Sequence, residues 1–264
     1  MKPLRLSGCP IAYYITGREH REWVLFLHAA FVNHRMFQAQ TEYFRDRYNV
    51  LTLDIIGHGN SADGKGGMDK MADWIREILQ KEGIERVHLV GVSLGAVLAQ
   101  DFAGQYPEMV RSLACFGGYD IYHFDPRLQR ENSAAQMGMM VKALVSIRWF
   151  AEANKRISAC TERAQAEFYE MNLGFSKKSF RYFATLGKIG KTGPKGPRAY
   201  PLLIGCGERD IPSALTVLED WKRREPDCGV VIFEGAGHCA NMDTPERFNR
   251  VLEQFLTTGS ALLS

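Results

Sequence analysis

Short apolar runs and segments of helical period alternate along most of the chain. Six of the apolar runs have the length and composition of strands buried on both faces. They cover residues 23–27, 50–54, 87–92, 110–116, 201–206 and 230–233. Two short segments before them, 4–7 and 11–16, predict an antiparallel hairpin closed around Gly8. Because parallel strands in series need helical crossovers, the pattern predicts an α/β fold: a mainly parallel eight-stranded sheet with helices on both faces.

Two helices that cover this sheet have recognisable start and stop residues. Apolar residues over 68–79 recur at the spacing of one helical face, and Gly83 stands where a glycine commonly ends a helix. The same spacing recurs over 248–256, where we expect Thr244 to cap the helix and Pro245 to take its first position. Both segments are predicted as helices packed on the core.

The alternation of strands and helices stops between Gly118 and Tyr200. We therefore expect residues 1–117 and 201–264 to form one core domain, with residues 118–200 inserted into it as a helical cap. Three helices are predicted in this insertion, over 134–153, 161–171 and 177–186. A Gly- and Pro-rich segment, 187–201, then returns the chain to the core.

Composition and charge are those of an ordinary globular protein. Hydrophobic residues make up 45% and charged residues 24%, which argues against disorder, collagen and coiled coil. The net charge of +3 is too small for the concentrated basic surface of a nucleic-acid-binding protein. The six cysteines show no C-x-x-C spacing, and no apolar run is long enough for a leader or a membrane span. We expect a cytoplasmic protein that binds neither nucleic acid nor membrane.

Residues Gly91 to Gly95 form a G-x-S-x-G motif between an apolar strand and an apolar helix. That context is typical of a sharp turn that projects the Ser93 hydroxyl above the sheet. The following helix directs its N-terminal amides to the same place. We therefore predict that Ser93 is a nucleophile.

A serine nucleophile needs an imidazole base, and the base needs an orienting carboxylate. Ligands of open α/β sheets bind at the carboxyl ends of the strands, which selects His238, just after the strand at 230–233. His58 follows another strand, but its position in a Gly-His-Gly turn favours a structural role. For the carboxylate, Asp210 follows the strand at 201–206, and Asp120 and Glu208 remain alternatives.

The oxyanion formed in acyl transfer needs two hydrogen-bond donors. We expect one from the backbone amide of Leu94, which follows the nucleophile. The second is expected from the loop after the strand at 23–27, with the amide of Ala30 as the first candidate and that of Phe31 as the alternative.

These motifs, in this order, resemble the α/β-hydrolase superfamily, in the branch with a helical cap between the sixth and seventh strands. The matching segments are 27–30, 54–61, 91–95, 207–210 and 235–238. The resemblance implies the α/β-hydrolase fold and a cofactor-independent hydrolase. The chain departs from the family at Ala29, where glycine is common. A positive φ at this alanine would cost on the order of 1 kcal/mol.

No metal or cofactor is expected. The histidines at 28, 34 and 58 lack the spacing of a metal site, and Thr185 stands where a phosphate-binding loop over 185–192 would need glycine.

We expect a carboxylesterase-like serine hydrolase that cleaves a small or medium ester, or a related acyl compound, through an acyl-enzyme on Ser93. Carbon–carbon bond hydrolase, lactonase, thioesterase and perhydrolase activities remain alternatives on the same triad, because fold and triad alone do not separate them. A ligand receptor that retains the fold without catalysis is a further alternative.

Overall fold

The structure is a computed structural model that describes residues 2–123, 138–139, 141–190 and 198–260. Its strands are β1 (Tyr13–Thr16), β2 (Trp23–Leu27), β3 (Asn49–Leu53), β4 (Val87–Val92), β5 (Val110–Phe116), β6 (Leu202–Gly207) and β7 (Gly229–Phe233). Its α-helices are α1 (Gln38–Phe44), α2 (Met71–Lys81), α3 (Leu94–Gln105), α4 (Ile147–Ser158), α5 (Glu162–Leu173), α6 (Phe180–Phe183), α7 (Ala214–Arg224), α8 (Ala240–Asp243) and α9 (Pro245–Thr258). Residues 141–145 are also helical. Short 3₁₀ helices occupy His34–Phe37, Gly59–Ser61, Met68–Lys70, Pro107–Met109, Lys177–Ser179 and Leu186–Lys188.

The strands form one sheet in the order β1-β3-β2-β4-β5-β6-β7. Only β1 runs antiparallel to its neighbour, and all other pairs are parallel. β3, β4 and β6 are buried along their whole length, as their continuous apolar composition predicts. The predicted mainly parallel α/β fold is confirmed.

The described part of the sheet has seven strands where eight were expected. The predicted hairpin over 4–16 reduces to a single antiparallel bridge between Leu4 and Tyr13. On its other edge, β1 pairs with β3, with Tyr13 opposite Leu53. Pro3 and Pro10 bound the segment before β1, and a proline has no N–H to donate to a neighbouring strand. Residues 4–7 therefore do not form a strand.

Apolar side chains fill the space on both faces of the sheet. On one face, Ile75, Ile78 and Leu79 of α2 pack with the apolar side of α3. On the other face, Phe37, Phe44 and the apolar positions of α9 form a second core cluster. The two layers match the expectation of helices on both faces of a buried sheet.

Of the two helix boundaries predicted from sequence, the structure has the glycine-terminated end but not the threonine cap. Gly83 has a φ of +70°, and the amide of Ile84 donates to the carbonyl of Leu79 at 2.8 Å, the pattern of a glycine-terminated helix. Thr244 does precede α9, but its hydroxyl donates to the carbonyl of Ala240 at 3.1 Å and makes no cap bond. The Thr244 hydroxyl is therefore bonded to the preceding helix, α8, and does not cap α9.

The described residues between Gly118 and Tyr200 contribute helices and no strand. α5 begins at Glu162, one residue after the predicted start, and Thr161 caps it, since the Thr161 hydroxyl accepts from the amide of Ala164. The helix predicted over 134–153 is not continuous, because the chain leaves the helical conformation at Ser146, which caps α4. Residues 134–137 and 140 of that prediction, and 191–197 of the predicted return, lie outside the described residues.

Within the described residues, no helix is both long and apolar enough to cross a membrane.

Candidate active site

Ser93 lies at the turn between β4 and α3, at the carboxyl end of a central strand. Its φ is +54° and its ψ is −114°, a conformation that residues with a side chain avoid. The Ser93 amide donates to the carbonyl of Phe116 at the end of β5, at 2.8 Å. The strained turn is therefore fixed by the neighbouring strand.

The two glycines of the G-x-S-x-G motif are required by close backbone contacts. A Cβ added to Gly95 would lie 1.9 Å from the carbonyl oxygen of Leu27, and one added to Gly91 would lie 2.4 Å from the oxygen of Gly95. Without these side chains, α3 starts directly against β2 and β4. This close approach gives the turn its sharpness and leaves Ser93 at its tip.

His238 and Asp210 lie on two loops that pack face to face after β7 and β6. The amides of Glu208 and Arg209 donate to the carbonyls of Phe233 and Ala236, at 2.9 and 2.8 Å. Gly207 permits this contact, because a Cβ there would lie 2.1 Å from the oxygen of Gly237.

The pairing of the loops brings the predicted base and carboxylate into contact. Nδ1 of His238 lies 2.8 Å from Oδ1 of Asp210, whose side chain is 1% exposed. Because the carboxylate is an acceptor, Nδ1 donates, and in the neutral ring Nε2 holds the free lone pair.

Two opposing effects act on the His238 imidazole. Burial lowers its pKa, whereas the charge of Asp210 and the hydrogen bond to it raise the pKa, and the net shift is upward from the ordinary value. The carboxylate therefore stabilises the protonated ring that would form when His238 takes up a proton.

The alternative base and carboxylates have other partners. Burial lowers the pKa of His58 to about 3, so this histidine is neutral, and its Nδ1 lies 3.2 Å from the carbonyl of Ile56. Asp120 pairs with His123 at 2.9 Å, and Glu208 accepts from the amide of Gly235 at 2.9 Å.

Ser93 and His238 both line a cavity of about 260 Å³. Gly117 brings the two together: it follows Phe116, the partner of the Ser93 amide, and a Cβ there would lie 3.1 Å from Nδ1 of His238. The other described lining residues are Ala29, Ala30, Phe31, Gly117, Tyr119, Met139, Asn154, Ile157, Ser158, Phe168, Ile211 and Cys239.

Cys239, beside the predicted base, is a weaker candidate for the nucleophile than Ser93. Its side chain is buried, and burial, together with the negative charges of Asp210 and Asp243, raises the pKa of its thiol well above the ordinary value. The thiol therefore stays protonated near neutral pH, whereas the reactive form of cysteine is the thiolate.

In the loop after β2, the residue with a strained, positive φ is Phe31 and not Ala29. Phe31 has a φ of +69°, while Ala29 is outside the positive-φ region. The alanine at the family's usual glycine position is therefore unstrained. The Ala29 amide donates to Sδ of Met36 at 3.1 Å, and within the described residues no hydrogen bond occupies the amides of Ala30 and Phe31.

Asp243 is a residue of the site that the sequence did not single out. Its carboxylate accepts from the amides of Cys160 and Thr161, from the Thr161 hydroxyl and from the amide of Gly237, over 2.8–3.0 Å. It thus ties the linker between α4 and α5 to the loop that carries His238. The sequence shows only an acidic residue near the start of a helix, and partners 82 and 83 positions away cannot be read from it.

Over the described ranges, no group of three histidine, cysteine or acidic side chains is arranged to hold a metal ion.

The chain resembles known proteins in both sequence and structure. The sequence model described as the alpha/beta hydrolase family matches residues 24–251. The (E)-2-((N-methylformamido)methylene)succinate hydrolase of Acinetobacter baylyi is 25% identical over 264 residues, covering 97% of this chain and 98% of that protein.

Two solved structures share the architecture. A thermophilic esterase from Thermogutta terrifontis superimposes with a TM-score of 0.76 at 22% identity, covering 94% of this chain and 93% of the esterase. An enol-lactonase from Burkholderia xenovorans also gives 0.76, at 17% identity, over 97% of this chain and 100% of the lactonase. At these identities the likeness concerns the fold alone.

Proposed function

Because this chain belongs to the alpha/beta hydrolase family, we propose that it is a carboxylesterase-like serine hydrolase. Its substrate is a small or medium ester, or a related acyl compound, cleaved through an acyl-enzyme on Ser93. The observation that carries the proposal is the His238–Asp210 hydrogen bond of 2.8 Å at a cavity that Ser93 also lines.

The reaction has two halves. Ser93 Oγ attacks the substrate carbonyl while Nε2 of His238 takes the hydroxyl proton, and the imidazolium is stabilised by Asp210. The imidazolium then protonates the leaving alcohol as the carbon–oxygen bond breaks, which leaves the acyl group on Ser93. Water, deprotonated by Nε2, attacks this ester, and the returned proton regenerates the Ser93 hydroxyl and releases the acid.

The oxyanion of each half is stabilised by the backbone amides of Leu94 and Ala30. Leu94 is the first residue of α3, where amides lack partners inside the helix. Ala29 is a weaker candidate because its amide faces Met36. The amide of Phe31 stays the alternative to that of Ala30.

Residues 118–200 act as a cap on a core formed by 1–117 and 201–264. This division is supported by the cavity lining, to which the segment contributes Met139, Asn154, Ile157, Ser158 and Phe168. The substrate is a small molecule, which a cavity of about 260 Å³ can hold. A cytoplasmic location is supported by the six free cysteines.

The proposal is tested by Ser93→Ala with Ser7→Ala, at an exposed position, as the matched control. Turnover of short p-nitrophenyl esters should fall by about 10⁴- to 10⁶-fold in the first variant and stay unchanged in the second. A fluorophosphonate should label the wild type and the control but not Ser93→Ala. Retained turnover or retained labelling in a folded Ser93→Ala protein would reject the mechanism.

A lactone is the second candidate substrate. The superposition on the solved neighbour named an enol-lactonase covers 97% of this chain, and a cavity of about 260 Å³ is large enough for a compact lactone ring. Hydrolysis of simple lactones, measured as acid release in a pH-stat, is compared with hydrolysis of p-nitrophenyl esters of equal carbon number. The substrate class with the higher kcat/KM is the preferred one.

A further inference from the structure

Helix α4 places polar side chains on its buried side. Asn154 is 7% exposed and Ser158 is 5% exposed, although both lie on the same side as the buried Phe150 and Ala151. Burying an amide is unfavourable unless its hydrogen-bonding groups have partners. The hydrogen-bond partners of the Asn154 side-chain amide therefore determine whether its burial is tolerated.

The orientation of the Asn154 amide is fixed by a chain of hydrogen bonds. Nδ2 of Asn172, a fully buried residue, donates to the carbonyl of Phe168 at 2.9 Å. A carbonyl only accepts, so the Oδ1 of Asn172 must face the other way, towards Asn154. There it accepts from Nδ2 of Asn154 at 2.8 Å.

This chain leaves the Oδ1 of Asn154 without a partner among the described residues. Asn154 lines the cavity that contains Ser93 and His238, and its Oδ1 is not among the fully enclosed unpaired polar atoms. The oxygen is thus an oriented acceptor accessible from the cavity. Its neighbours in the lining, Ile157 and Phe168, are apolar.

We propose that Asn154 is a specificity-determining residue, which accepts a hydrogen bond from a neutral donor, an amide N–H or a hydroxyl, in the part of the substrate remote from the cleaved carbonyl. This inference rests on the proposed function, because it assigns a binding group to the same cavity. Asn172 is the positioning residue that holds the acceptor in place.

Two pairs of esters test the proposal. The p-nitrophenyl esters of acetamidopropanoic and oxohexanoic acids differ by N–H against CH₂, and those of hydroxymethylbenzoic and ethylbenzoic acids differ by OH against CH₃. In the wild type, kcat/KM should favour the donor-bearing member of at least one pair by about tenfold, the value of one neutral hydrogen bond. In Asn154→Leu this ratio should fall to about one.

Ile157→Ala is the matched control, because it changes the same helix and the same cavity without removing an acceptor. It should alter kcat/KM for both members of a pair alike and leave the ratio unchanged. Asn172→Leu frees the Asn154 amide to rotate and should lower the ratio without removing the acceptor itself. It also serves if Asn154→Leu does not fold.

The proposal is overturned if the wild type shows no preference in either pair, or if Asn154→Leu or Asn172→Leu retains the wild-type ratio. These outcomes are distinct from failure of the proposed function. If the proposed function failed, neither member of a pair would be cleaved in a manner that depends on Ser93.

Discussion

His238, the proposed base of the site, has its pKa raised by a single carboxylate, that of Asp210. Burial alone would lower the pKa of His238, and the charge and hydrogen bond of Asp210 outweigh it, so that the pKa is raised. A general base must be neutral, so kcat/KM falls as the pH drops through this pKa. The raised pKa places the acidic limb of the activity profile above the ordinary histidine value of about 6.5.

Asp210→Asn should move that limb to lower pH, because the substitution removes the charge that raises the pKa of His238. The activity at the plateau should fall by about 10⁴-fold, since the amide no longer holds the imidazole in its working tautomer. The measurement is kcat/KM against pH.

Asp120→Asn is the control for this change, since Asp120 pairs with His123 and lies outside the Asp210–His238 pair. Its acidic limb should coincide with that of the wild type. An unmoved limb in Asp210→Asn would show that Asp210 does not set the pKa of His238.

At the scale of single elements, the start of α3 depends on the absence of one Cβ. Gly95→Ala would place that atom 1.9 Å from the oxygen of Leu27 in β2, a backbone atom that cannot rotate away. We expect the free energy of unfolding to fall by about 3 kcal/mol and esterase activity to fall with it. Chemical denaturation and turnover measure the two effects.

Gly187→Ala is the matched variant, because a Cβ there meets no atom of the described residues within 4 Å and Gly187 lies in a 3₁₀ helix. Its stability and activity should match those of the wild type within about 0.5 kcal/mol. Equal stabilities for the two variants would mean that α3 can move away from β2 without cost.

Elements with a continuous apolar pattern were predictable from the sequence. The strands from Trp23 to Phe233 form within one residue of the expected bounds, because burial leaves a local apolar pattern. The expectation of burial on both faces is wrong for β7, where Val230 and Ile232 are exposed. The errors lie where local pattern competes with longer-range contacts. Residues 4–7 keep a single bridge, from Leu4 to Tyr13, and Ser146 ends one helix by capping the next.

The candidate site was predictable only in part. Topology explains why His238 and Asp210 meet, since the carboxyl ends of adjacent parallel strands share one edge. No comparable rule connects Asn154 with Asn172, or Asp243 with Thr161, because these contacts depend on how helices pack. The catalytic roles assigned to Ser93, His238, Asp210 and the oxyanion donors stay predictions.

For the whole molecule, buried neutral histidines predict loss of stability in mild acid. Burial lowers the pKa of His28 and His88 to about 4 and that of His58 to about 3. In the unfolded chain these pKa values return to about 6.5, so below that pH the unfolded state binds protons that the folded state does not. The free energy of unfolding should therefore fall by about 2 kcal/mol per histidine between about pH 7 and pH 5.

His88→Gln tests this expectation, because glutamine can keep a hydrogen bond to Ser112, the partner of the His88 ring at 2.7 Å. Denaturant unfolding at the two pH values should show a loss smaller by about 2 kcal/mol than in the wild type. Identical losses would mean that His88 is protonated in the folded protein.

The carboxylate of Asp243 bears on how family members can be recombined. It supports the loop of His238 on one side and receives the Cys160 and Thr161 amides on the other. A chimera that takes residues 118–200 from another hydrolase must therefore supply a linker whose amides reach this carboxylate. With a mismatched linker, the base would lose its support although every triad residue was retained.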